Sequence, residues 1–125
     1  MKRRFWTIAA GVGATLTLVV LMRAQPEELD SLKVCAATQK LIFENAFVRV
    51  IDDRIPVGVA EPKHKHLHGL TVVLTDYEVE QKNYPDGKIT RPRRKFGDAT
   101  WSEAVVHEVK NVGTTPSHAI RIELK

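Results

Sequence analysis

Three of the chain's five histidines fall within five positions, in the run Lys63-His64-Lys65-His66-Leu67-His68. In an extended strand side chains alternate faces at about 3.3 Å per residue, so His64 and His66 share one face at about 6.6 Å. Imidazoles at that spacing can converge on one ion through bonds of about 2.1 Å, with Lys63 and Lys65 turned to water. The competing reading is a solvated Lys/His run on an exposed strand, since imidazole is both the commonest metal ligand and a frequent surface group.

The elements that must hold such a site read as strands and turns. Leu41-Ile42-Phe43 and Phe47 to Ile51 flank Glu44-Asn45-Ala46 as a hairpin, Leu70 to Leu74 is apolar and largely β-branched, and Tyr77 to Gln81 and Ser117 to Leu124 alternate. Tyr84-Pro85-Asp86-Gly87-Lys88 and Gly113-Thr114-Thr115-Pro116 carry turn residues between them. This spacing predicts an all-β sandwich or barrel over residues 41–125, after a linker with a short helical turn at 25–40. Arg91-Pro92-Arg93-Arg94-Lys95 reads as a protected sheet edge, and Trp101 as core or pocket wall.

Composition assigns the first 24 residues a different task. Lys2, Arg3 and Arg4 precede an uncharged, mainly apolar run of 18 residues from Phe5 to Met22, the pattern of an export signal. That run exceeds the usual signal core of about 7–15 residues and just suffices to span a bilayer, so a cut near Ala24 and an uncleaved N-terminal helix anchor both remain open. Either way the basic end stays in the cytoplasm and the domain is exported: periplasmic or secreted, or anchored to the inner membrane. Residues 1–24 hold four of the 19 basic residues and none of the 15 acidic ones, so the remainder is formally neutral. Nucleic-acid binding, which relies on excess Lys and Arg, is not expected. Cys35 is the sole cysteine, which excludes an intrachain disulfide and a Cys-rich zinc cluster and leaves a free thiol.

Two stretches together carry a family resemblance. Gly58, five residues, then His64-Lys65-His66 fits the first motif of the cupin superfamily, and Gly97 with His107 and Asn111 fits the second. The likeness covers residues 41–125 and implies a small jelly-roll barrel in which the motifs meet. Carried over position by position, it implies His64, His66 and His107 as metal ligands, Gly58 and Gly97 as turn positions, and Asn111 as a brace for the strand after His107. The family's motif glutamate falls at Leu70 or Thr71, neither of which offers a carboxylate. His68 shares the parity of the ligand pair and is the candidate replacement, with a pocket-lining or rim role as the alternative. Glu103 and Val105 stand where the second motif has Pro and Gly.

A centre of neutral imidazoles keeps the full charge of one divalent transition metal and favours Lewis-acid work or an anionic, chelating oxygen ligand. Fe, Mn, Zn, Ni and Cu all accept imidazole. The resemblance implies either a dioxygenase- or isomerase-type enzyme or a non-catalytic binder of a sugar or metabolite. A degenerate barrel acting through its surface is a third reading. His68, Glu61 and Glu103 are the available general bases. A homodimer and a small-molecule ligand are the expected partners.

Overall fold

The computed structural model describes residues 25–125; the expected signal or anchor at 1–24 lies outside the described residues. Among the described residues no helix is long and apolar enough to cross a membrane. One helical turn, α1 (Ser31–Val34), starts where the Asp30 carboxylate accepts a hydrogen bond from the Leu32 N–H at 3.1 Å. Strands follow: β1 (Gln39–Glu44), β2 (Val48–Ile55), β3 (Ala60–His66), β4 (Gly69–Val73), β5 (Tyr77–Tyr84), β6 (Ile89–Thr90), β7 (Arg93–Arg94), β8 (Ala99–Ser102), β9 (Val105–Asn111) and β10 (Ser117–Leu124).

The strands form two antiparallel sheets, β1-β2-β10-β4-β8 and β3-β9-β5-β6, with β7 also paired to β5. The expected β1–β2 hairpin forms, its Asn45 side chain accepting from the Phe47 and Val48 N–H groups at 2.8 and 2.9 Å. The basic run lies at the expected edge. Arg91 pairs with Glu80, Arg93 with Glu78 and Lys95 with Asp76, all near the surface, so they blunt the edge more than they stabilise the fold. Consecutive strands often change sheet, which is what folds the chain into a jelly-roll barrel.

The interior is only partly apolar. Ile55, Val79 and Val109 pack with Tyr77 as its hydrophobic cluster. Elsewhere many inward positions are polar. On β10, Ser117, Ala119, Arg121 and Glu123 are buried, while Ile120, Ile122 and Leu124 lie half-buried on the opposite face. Buried polar groups on this scale survive only where they satisfy one another or serve a ligand. Cys35 is a buried free thiol, pushed up to about 12 by burial and by the nearby Glu61 and Asp53 carboxyls.

Gly58, Gly97 and Asn111 each occupy a particular place in the backbone. Gly58 turns the chain into β3 with φ 78°, and Gly97 turns it ahead of β8 with φ 86°. Asn111 is fully buried, its amide N–H group donating to the Ile55 and Thr115 carbonyls, each at 2.9 Å, and its oxygen accepting from the Gly113 N–H at 3.0 Å.

Candidate metal centre

β3 and β9 are neighbours, and their register places His64 directly opposite His107, with His66 opposite Val105. His64 Nε2 lies 3.1 Å from His66 Nε2 and 3.1 Å from His107 Nε2. All three side chains are buried. The alternation that puts His64 and His66 on one face is thus realised towards the interior, and His107 joins them from the facing strand.

These rings are fixed from behind. His64 Nδ1 lies 2.7 Å from the Pro62 carbonyl oxygen, which can only accept, so that nitrogen carries hydrogen and Nε2 presents its lone pair. His66 Nδ1 donates to Glu123 Oε1 at 2.5 Å. Arg49 Nε donates to the other oxygen of Glu123 at 2.5 Å, and Arg49 Nη1 reaches the Asp30 carboxylate at 3.0 and 3.1 Å. A relay of alternating charge therefore runs from the cap of α1 to the His66 ring. Burial raises Glu123, but the hydrogen bonds from His66 and Arg49 outweigh it and hold its carboxyl below the ordinary range. Burial and the adjacent His66 lower His64; burial, His64, His66 and Arg121 push His107 down to about 3.

The donor set fits a metal ion. The single lone pair of His64 Nε2 meets two ring nitrogens at 3.1 Å and can accept one good hydrogen bond, so one contact is uncompensated. A cation among the three nitrogens gives each lone pair a partner, and neutral imidazole is the ligating form. A carboxylate behind a ligating ring is the usual device for orienting it.

The structure also brings in a residue that strict alternation turns outward. Between Glu61 and His64 the β3–β9 register slips: three steps on β3 match two on β9. This β-bulge puts both side chains inside, with Glu61 Oε2 at 3.6 Å from His64 Nε2. Glu61 is held by the Thr38 hydroxyl and by Gln39 Nε2 at 3.1 and 3.2 Å. Burial and the Glu61 carboxylate raise Asp53 well above the ordinary carboxyl range.

His68 does not reach the histidine group. The chain leaves one sheet after His66 and enters the other at Gly69, so parity is lost between them. His68 is exposed, its ring centroid 5.8 Å from that of Trp101. Trp101 borders the cavity, and its indole N–H donates to Glu103 at 2.9 Å, leaving Glu103 at the rim. The cavity measures about 290 Å³ and is lined by His66, His107, Glu61, Asp53, Thr71 and Arg121, among others. Arg49, Asp53, Arg121 and Glu123 escaped the sequence reading. On β10 Arg121 and Glu123 recur at one parity, but β2 carries charge at both, with Arg49 and Asp53 on one face and Asp52 and Arg54 on the other.

No protein-family model and no curated protein matches the chain. Solved structures do. A cupin domain from Bordetella pertussis is 25% identical, with 70% of this chain and 91% of that one covered and a TM-score of 0.63. A cupin superfamily protein from Desulfitobacterium hafniense is 12% identical, with coverages of 69% and 74% and a TM-score of 0.52. A conserved protein with a double-stranded β-helix domain from Klebsiella pneumoniae is 19% identical, covers 88% of each chain and has a TM-score of 0.53. Two antiparallel sheets wound into one barrel, with histidines of facing strands turned inward, define a double-stranded β-helix protein. The described residues form a small domain of the cupin superfamily.

Proposed function

We propose that this protein is an exported metal-binding cupin in which His64, His66 and His107 hold one divalent transition metal and a small oxygen-chelating metabolite occupies the adjoining cavity. The observation that carries this reading is the meeting of three buried Nε2 atoms, two of them at 3.1 Å from the third, with two rings oriented by Pro62 and Glu123. The ion supplies Lewis acidity to an oxygen of the ligand. The chain's own residues orient the imidazoles, exclude bulk water and offer Glu61 as a carboxylate beside His64.

A dioxygenase-type reaction is the leading chemistry for this site. A non-catalytic binder is the second reading, and the engagement of Glu61 by Thr38 and Gln39 favours it, because a base so held is poorly placed to accept a proton. Metal analysis of the purified protein tests the centre. One equivalent of metal, lost in His64→Ala, His66→Ala and His107→Ala with the fold kept, is the expected result; stoichiometric metal in any variant removes that residue from the centre. Oxygen uptake with chelating phenols and diketones then separates enzyme from binder. Export rests on residues 1–24, and a reporter active only outside the cytoplasm, fused after Lys125, should give signal; a dark fusion beside an exported control contradicts it.

A further inference from the structure

Arg121 is a buried cation without an ionic partner. It is 5% exposed and borders the cavity together with His66 and His107. Its Nη1 donates to Thr71 Oγ1 at 3.2 Å and its Nη2 to the Leu67 carbonyl at 2.5 Å. Both acceptors are neutral. Its Nε is buried with no hydrogen-bond partner, and among the described residues no carboxylate pairs with it. Glu123, the nearest acid along β10, is already shared by His66 and Arg49.

A buried guanidinium held by neutral groups keeps its charge uncompensated, and where it borders a cavity an anion entering there can supply the missing partner. An anionic oxygen group is the acceptor that best matches such a donor.

We propose that the cavity takes a small monocarboxylate bearing a second oxygen, its carboxylate received by Arg121 and its other oxygen facing His64, His66 and His107. This rests on the metal-centre reading above and names the class of ligand for it. Arg121 presents a planar donor fork suited to a carboxylate, and Thr71 and Leu67 hold that fork in place. A cavity of about 290 Å³ has room for a small organic acid.

The test is calorimetric titration of the full-length, zinc-loaded protein with pyruvate, lactate and acetoacetate, each against its uncharged amide. At least one acid should bind at least tenfold more tightly than its amide, and the metal-free protein should bind that acid at least tenfold more weakly. Arg121→Gln should lose the preference for acid over amide while retaining zinc at wild-type stoichiometry, and Arg121→Lys should restore part of it. Zinc retention separates the two readings: failure to hold zinc overturns the metal centre, and with it this ligand assignment. Full zinc with no binding of any acid, or with amides bound as tightly, overturns the ligand class alone. The wild-type comparison stands even where Arg121→Gln fails to fold.

Discussion

Glu123 carries more of the site than its position in an apolar-looking strand suggests. It lies fully buried between the His66 ring and the Arg49 guanidinium, so Glu123→Gln weakens the orientation of a ligand and the neutralisation of a cation together. Metal affinity should fall about 10- to 100-fold, as for other groups behind a ligating ring, with a loss of on the order of 2–3 kcal/mol in stability. Competition with a chelator and urea unfolding read the two effects; an unchanged chelator midpoint contradicts the role. The histidines make a prediction about acid. In the unfolded chain a histidine takes up a proton near its ordinary value of 6.5, whereas folded His107 stays neutral until about 3. Between those values the unfolded state binds more protons, so the metal-free protein loses stability as pH falls, by up to about 1.4 kcal/mol per pH unit for each such group. Urea midpoints from about pH 7 to about pH 4 should fall less steeply in His107→Gln, and equal slopes would count against it. His64 and His66 were legible from type and spacing, because ligand chemistry restricts both, and His107 through the motif resemblance. Arg121 and Asp53 were not, because one sequence does not reveal which face of a two-faced strand turns inward.

The strands were legible for a related reason: turn residues and period-two alternation are local signals, and the β1–β2 hairpin, the edge at Arg91–Lys95 and the long final strand all follow them. A bulge and a sheet crossing are set by partners distant in the chain. The slip between Glu61 and His64 turns Glu61 inward, and the passage from β3 to β4 leaves His68 outside. Gly69, at the head of β4, makes that passage feasible. A Cβ there would lie 2.0 Å from the Ile122 carbonyl oxygen, a backbone atom of the neighbouring strand that has no room to move aside. Gly69→Ala should therefore separate β4 from β10 and cost about 3 kcal/mol, measurable as a fall in the urea midpoint. A variant as stable as the wild type would show the pairing to be more compliant than its register implies.

At the scale of the molecule, the five-stranded sheet turns Val48, Val50, Leu70, Val72, Ile120 and Ile122 away from the interior, with Phe43 and Phe47 exposed by 53% and 76% beside them. An apolar outer face of this kind suits a second copy of the chain, and light scattering at micromolar concentration should give the mass of a dimer. A monomer there, with Val50→Lys and Ile122→Lys leaving the mass unchanged, contradicts that assembly. The pairing of His64 with His107 bears on how the barrel comes apart. The two residues are 43 apart in sequence and sit opposite each other on adjacent strands, so one ion bound to both ties off that loop as a disulfide would, in a chain whose only cysteine has no mate. β3 and β9 then cannot unzip until the ion departs. The lifetime of the folded barrel becomes a matter of ligand exchange: slow-exchanging ions would preserve it far longer than labile ones, at equal affinity.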